Sequence, residues 1–208
     1  MTEPSDTNDT EQINADHKSK MEALNEAQRE KRLSNKKADR GLVLVHTGNG
    51  KGKSSSAFGV TIRALGWGHK VAVVQYIKGT WKTGEKNFFD GHPIDWFTMG
   101  EGFTWETQDR ERDIEAAAAA FDKSVELMTS GDYDLVVLDE INIALRYDYL
   151  DINYVVDQVA NRNIRTSVIL TGRDAKPELM EMADLVTEMK EIKHPYHAGI
   201  NAKQGIDF

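Results

Sequence analysis

The sequence predicts an α/β protein built on a mostly parallel sheet with helices on both faces, and three observations carry that expectation. Runs that are apolar throughout, LVLVH at 42–46, VAVVQYI at 71–77, LVVL at 135–138 and TSVILT at 166–171, alternate with longer helical stretches. A strand covered on both faces has no solvent side to show, so it reads as continuous Val, Ile and Leu, which is the pattern of a buried parallel sheet. The first run leads into a glycine-rich loop, TGNGKGKS at 47–54, and then into a helix; the run at 135–138 ends on two carboxylates, Asp139 and Glu140.

Residues 1–16 hold Glu3, Asp6, Asp9, Glu11 and Asp16 without Lys or Arg and with little to bury, so they are expected to be disordered. From His17 to Arg40 the composition favours a helical extension: Met21, Leu24 and Ala27 recur every third residue, and basic residues gather towards the end, where they complement the helix dipole. Its apolar stripe is thin, which suits a solvated helix or one that docks on a partner subunit. A globular domain is expected over 41–208. There the strand at 42–46 is followed by a helix over about 54–65, strands at 71–77 and 94–99, and a long helix over about 108–129. Ala116 to Ala120 lie in that helix, where small side chains allow close packing. The strand at 135–138, a helix near 152–162, the strand at 166–171, a helix near 177–183 and a strand at 185–189 complete the alternation. The final stretch, KHPYHAGINAKQGIDF, shows no period and reads as a tail.

Composition narrows the chemistry. A chain of 208 residues can bury a proper core as one domain with an extension. No apolar run approaches the roughly 18 residues of a bilayer span, and the N-terminus lacks the basic-then-apolar order of a signal peptide, so a soluble cytoplasmic protein without membrane attachment is expected. With no cysteine, the chain cannot use disulfides, thiolate metal ligands, thiol nucleophiles or Cys-ligated clusters. Any electrons come from elsewhere. A formal net charge of −8 argues against general nucleic-acid binding.

The loop at 47–54 matches the phosphate-binding pattern G-x-x-x-x-G-K-[ST] except that Thr47 stands at the first glycine. Between a strand and a helix, such a loop turns backbone N–H groups and the helix N-terminus towards phosphate oxygens. Gly48, Gly50 and Gly52 permit close backbone approach with Asn49 between them, Lys53 brings charge to the phosphates, and the Ser54 hydroxyl suits Mg²⁺. Lys51 adds a second cation, which suits a whole triphosphate. Asp139 and Glu140, at the C-terminal edge of a parallel strand, stand where such sheets bind ligands and where an acid lies near the nucleotide's metal. Together with a phosphate loop the two acids mark a metal site, with Asp139 able to bind the metal or orient a water.

A third element, GEGFTWETQ at 100–108, places Phe103 and Trp105 in a glycine-flanked loop after a strand. On composition alone these are aromatics covering the core. In the order TGNGKGKS, GFTWETQ, LDEINIAL, however, the chain resembles the ATP:corrinoid adenosyltransferases of the cobalamin pathway over roughly residues 41–208, the ending GINAKQGIDF included. The resemblance implies a RecA-like P-loop fold in which a Co(I) corrinoid attacks the ribose C5′ of ATP and intact triphosphate leaves. ATP would lie reversed relative to ordinary P-loop enzymes. By position the loop amides and Lys53 would hold phosphates, Arg63 on the following helix would be a further phosphate ligand, and Ser54, where the family more often has Thr, would act with Glu140 at Mg²⁺ or Mn²⁺.

The same resemblance gives Phe103 and Trp105 a task as catalytic residues: displacing the lower axial ligand of cobalt, which makes Co(II) easier to reduce, and closing the corrinoid face against water. It also implies a reduced flavoprotein such as flavodoxin as electron donor, a homodimer, and an N-terminal helix able to cover the partner's site. A RecA-like NTPase or small kinase is the competing reading of the same loop. The basic loop at 78–86 reads equally as a phosphate or corrinoid contact and as a solvated loop. His46 is expected to be a buried strand-end residue, and His194 and His197, with no acid evident near them, to pack in the tail.

Overall fold

The computed structural model describes residues 6–35, 39–77, 83–99 and 109–207. Two compact units divide the chain at Ala38 and Asp39. The first contains one helix, α1 (Asp6–Ser34), with Lys31 and Arg32 in its last turn. It starts well before His17, so residues 10–16 of the acidic start are helical. The reason is local: Glu11, Gln12 and Ala15 are good helix formers, and the Gln12 amide donates to the Asp16 carboxylate one turn later at 3.1 Å. Met21 and Leu24 remain 42% and 46% exposed, so the thin stripe buries little.

The second unit is a six-stranded sheet. Its strands are β1 (Val43–Thr47), β2 (Val71–Gln75), β3 (Ile94–Thr98), β4 (Leu135–Asp139), β5 (Ser167–Thr171) and β6 (Leu185–Glu188), in the spatial order β3-β2-β4-β5-β1-β6. Every pairing is parallel. One strand, β5, separates β1 from the acid-bearing β4, the spacing of a RecA-like P-loop sheet. The fold expectation holds.

Between the strands lie α2 (Lys53–Gly66), α3 (Gly84–Phe89), α4 (Arg110–Thr129), α5 (Ile141–Arg146), α6 (Ile152–Ala160) and α7 (Pro177–Met182), with a short 3₁₀ turn at Pro195–Ala198. Successive side chains of a strand point to opposite faces, and the core divides accordingly. On one face Val43, Val45, Ala72, Val74, Val136, Leu138, Val168 and Leu170 meet Ala117, Ala120 and Phe121 of α4 and Val155 and Val159 of α6. On the other, Val71, Val73, Leu135, Val137 and Ile169 meet Ala57 and Phe58 of α2 and Phe89 of α3. The alanine run behaves as its composition suggests: Ala117 and Ala120 are 6% and 0% exposed and let α4 lie close to the sheet. Asp109 caps α4 by accepting from the Arg112 amide, and Asp151 caps α6 by accepting from that of Tyr154.

Two elements were not expected from the sequence, α3 and α5. Both span six residues, too short for an apolar period to declare itself; α7 is equally short, but Pro177 marks its start. Among the described residues, no helix is long and apolar enough to cross a membrane.

Candidate active site

The glycine-rich loop leaves the C-terminal end of β1 and enters α2, and its shape is set by the neighbouring end of β6. Gly50 donates its N–H to the Met189 carbonyl at 2.7 Å, and the Met189 N–H returns to the Thr47 carbonyl at 2.8 Å. A Cβ on Gly48 would stand 2.5 Å from the Met189 carbonyl oxygen, and one on Gly50 2.8 Å from backbone atoms of Met189 and Lys190. These two glycines therefore serve the packing of loop against strand end, and the Gly50 amide is already engaged. Gly52 differs: it sits at φ 107 as the residue that opens α2, where a side chain would be strained despite the space around it.

Thr47 has a task that glycine could not perform. Its hydroxyl accepts the N–H of Ala175 at 3.0 Å, tying the loop after β5 to the glycine-rich loop. His46, just before it, is buried with Nδ1 3.4 Å from the Lys53 carbonyl, and burial lowers its pKa.

A cavity of about 410 Å³ opens beside the loop, within the range of small-ligand sites (roughly 300–1,000 Å³). The loop contributes residues Gly50 to Ser55; Glu140, Ile143, Arg146 and Tyr147 come from the segment after β4; Arg173 follows β5. Ile77, Glu85 and Asp207 complete the lining. Lys53 is 7% exposed and donates from Nζ to the Gly50 carbonyl at 2.6 Å. Burial lowers its pKa; the Glu140 carboxylate works against that shift, while Arg173 and Lys51 add to it. Lys51 pairs with Asp207 at 2.6 Å, and that contact lowers the pKa of Asp207. Arg146 pairs with Asp174 at 3.0 Å.

The two acids after β4 occupy different surroundings. Asp139 is fully buried and accepts from Gln75 Nε2 at 3.0 Å and from the Thr171 hydroxyl at 2.9 Å. Gln75 in turn accepts from Trp96 Nε1 at 3.0 Å. Glu140 lies in the cavity lining and sits at φ 67, a left-handed conformation that costs a non-glycine residue about 1–3 kcal/mol. Its N–H donates to Thr171 Oγ1 at 2.9 Å. Opposite it, Gly172 at φ 128 clears the space: a Cβ there would be 2.9 Å from that of Asn142 and 3.3 Å from Glu140 Oε2.

The structure thus brings Gly50, Lys51, Gly52, Lys53, Ser54 and Glu140 to one cavity and sets others apart. Gly48 and exposed Asn49 are not in its lining, and Asp139 stands behind it. Arg63 is exposed in the last turn of α2, about 15 Å along the helix axis from Lys53 at 1.5 Å per residue. Phe103 and Trp105 lie outside the described residues, as do 78–82 of the basic loop. Beyond them, Thr83 caps α3, and Lys86 pairs with Asp90. His194 accepts from the Tyr196 N–H, and His197 contacts Glu191 at 2.8 Å, so an acid does stand near that pair, brought by the fold from before the Pro195 turn. Glu85 belongs to the loop at 78–86 that the sequence left open as a ligand contact, whereas Arg173, Arg146, Tyr147 and Asp207 were not singled out as site residues. Of these, only Arg173 carried a usable signal, since it follows a strand at the ligand-binding edge of a parallel sheet.

A glycine-rich loop between a central parallel strand and a helix N-terminus, with a strand-end carboxylate facing it across a cavity, defines a P-loop nucleotide-binding protein. Comparison with known proteins narrows the class: the chain belongs to the ATP:corrinoid adenosyltransferase family, matching the family described as ATP:corrinoid adenosyltransferase BtuR/CobO/CobP over residues 39–208. It is 50% identical to the corrinoid adenosyltransferase of Pseudomonas aeruginosa over 194 residues, covering 92% of this chain and 95% of that one. The corrinoid adenosyltransferase of a Sinorhizobium species is 49% identical, covering 95% and 94% of the two chains. That of Escherichia coli K12 is 41% identical, covering 85% and 90%.

Proposed function

We propose that the chain transfers the 5′-deoxyadenosyl group of ATP to the Co(I) centre of a corrinoid and releases triphosphate. The observation that carries this reading is the family match across the whole unit that holds the P-loop cavity. In the reaction a cobalt lone pair forms the Co–C5′ bond as the C5′–O bond breaks, and the triphosphate departs with the bonding electrons. Cobalt passes formally from Co(I) to Co(III), and no water or acceptor hydroxyl attacks phosphorus.

The residues of the cavity suit such a leaving group. Lys53, Lys51 and Arg173 supply positive charge where the triphosphate would lie, and the N-terminus of α2 adds its dipole. Charge that is fixed before reaction stabilises the departing anion without reorganisation. Lys53 holds the Gly50 carbonyl at 2.6 Å and is positioned to exchange that contact for a phosphate oxygen. Ser54 and Glu140 both line the cavity and offer hard oxygen donors, a set that fits Mg²⁺ and would also accept Mn²⁺. When bound, such an ion supplies counter-charge to the triphosphate. Asp139, being buried, contributes orientation and not direct contact.

Phe103 and Trp105 would close the corrinoid face and exclude the axial ligand. A reduced flavoprotein such as flavodoxin would deliver the electron, as a chain with no cysteine suggests. We assign 39–208 as the nucleotide- and corrinoid-binding domain of a homodimer and α1 as an extension able to reach the partner's site.

An anaerobic assay with ATP, Mg²⁺ and chemically reduced corrinoid tests the reading. Loss of the Co(I) spectrum with one triphosphate formed per cobalt is expected. Production of ADP and phosphate at an unchanged cobalt spectrum would replace adenosyl transfer by an NTPase or kinase activity.

A further inference from the structure

Glu140 faces the cavity from a backbone conformation it would not hold by itself. The segment that follows is a helix, α5, and the strand that precedes it is extended, so the turn between them is made by a single left-handed residue carrying a long acidic side chain. What fixes that residue is the end of β5. Thr171 is fully buried; its hydroxyl accepts the Glu140 N–H at 2.9 Å and donates to Asp139 Oδ1 at 2.9 Å.

A hydroxyl has one proton to give, and its lone pairs accept. With the proton committed to Asp139, the lone pairs are left to the Glu140 amide. Asp139 is itself fixed from the other side by Gln75 Nε2 at 3.0 Å, and the Gln75 amide is oriented by Trp96 Nε1, which donates to its oxygen at 3.0 Å. The sense of every bond in the row from Trp96 through Gln75, Asp139 and Thr171 is therefore determined, and the row ends on the backbone of Glu140. The next residue, Gly172, leaves room for the Glu140 carboxylate, since a Cβ there would come within 3.3 Å of Oε2. Thr171 holds the backbone and Gly172 frees the side chain.

We infer that Thr171 is a positioning residue: its buried hydroxyl, bridging Asp139 and the Glu140 amide, aims the Glu140 carboxylate at a divalent cation beside the P-loop. The inference rests on the reading of Glu140 as the metal-facing acid. Outer contacts that orient a ligand commonly alter metal affinity by about 10- to 100-fold, and the hydroxyl acts through a single ligand, so the lower end of that range applies.

Calorimetric titration of ATP into the full-length protein without corrinoid reads this separately from turnover. It is performed once with Mg²⁺ and once with EDTA, and Mn²⁺ binding to the ATP complex is followed in parallel by electron paramagnetic resonance. Thr171→Val should weaken Mn²⁺ binding and the Mg²⁺-dependent part of ATP binding about tenfold, while ATP binding in EDTA stays within twofold of the parent. Thr171→Ser, which restores the hydroxyl, should rescue both. Should the valine protein fail to fold, Thr171→Ala leaves space for water and is measured in its place, with the same expectation.

Glu140→Gln serves as the reference. A Glu140→Gln protein with weakened cation binding beside a folded Thr171→Val or Thr171→Ala protein with normal cation binding overturns the positioning role alone. Normal cation binding in Glu140→Gln removes the metal role of Glu140 and this inference with it. Equal losses in the valine and serine variants, or equal losses with and without Mg²⁺, would reduce Thr171 to a packing residue.

Discussion

Replacing Thr47 by glycine restores the consensus first position of the phosphate loop and, on the structure, should harm the protein. The Ala175 N–H loses the hydroxyl that accepts it at 3.0 Å. Leaving such a donor unpaired costs about 1–3 kcal/mol, and the half-buried position of Ala175 lets water recover part of that. Glycine at the end of a strand adds about 0.5–1 kcal/mol through chain entropy. The net loss is about 2 kcal/mol, which for a domain of this size lowers the melting temperature by about 4–8 °C. Because Arg173 lies two residues before Ala175 and lines the cavity, ATP affinity should fall several-fold as the loop loosens. Thermal melts and ATP titrations of Thr47→Gly, Thr47→Val and Thr47→Ser check the argument, the serine protein being expected to resemble the parent. A glycine protein that melts at the parental temperature and binds ATP as well or better would refute it, and Thr47 would be a tolerated departure from consensus.

Other outcomes follow from the same geometry. Lys53→Ala should lose about 100-fold or more in transfer rate, as expected when a charge aimed at a leaving anion is removed, with a melting temperature near the parent's; near-normal transfer in the folded variant would end the phosphate assignment. Trp105→Ala should damage the reaction that starts from Co(II) with a flavoprotein reductant far more than the one started from preformed Co(I), and equal losses with a lowered melting temperature would point to packing. Asp184 accepts from Arg40 at 2.5 and 2.8 Å and from the Val43 N–H at 2.9 Å, and the Arg40 contact leads in lowering its pKa to about 2. A carboxyl held below its unfolded value contributes stability that is complete above about pH 4 and is lost as pH falls through about 2. The melting-temperature gap between the parent and Asp184→Asn should therefore be widest near neutrality and close towards pH 2; a gap independent of pH would show that the pair contributes through shape alone.

The sheet and its order of elements were legible because burial on both faces writes itself as unbroken apolar runs, and the phosphate loop because its glycines fall between a strand and a helix. Glu140 was legible for the same reason, as an acid at a strand end. What sequence spacing could not supply was the difference between Asp139 and Glu140: neighbours in the chain, one is buried behind β4 and the other turned into the cavity by a left-handed backbone. The distance of Arg63 from the cavity was not legible in the motif, since ten residues of helix carry a side chain far from the loop that starts it. Asp207 depends on where the end of the chain returns, and Arg146 on a six-residue helix directly after Glu140 that no local pattern announces. Glu11 and Gln12 were assigned to disorder on charge and the lack of anything to bury, although their helix propensity pointed the other way.

The strand that carries the phosphate loop is the first of the sheet to be synthesised and the last to be enclosed. β1 lies between β5 and β6, both drawn from the final quarter of the chain, and Gly48 and Gly50 take their shape against Met189 and Lys190. A nascent chain released at residue 160 would contain the whole loop sequence and most of the apolar runs, yet no backbone against which to set the glycines. Domains emerge from the ribosome N-terminal end first, at about 5–20 residues per second, and contacts of long sequence separation are the slowest to close. Nucleotide affinity should therefore arrive abruptly with the last strand, so that an incomplete chain has no finished cradle in which to sequester ATP.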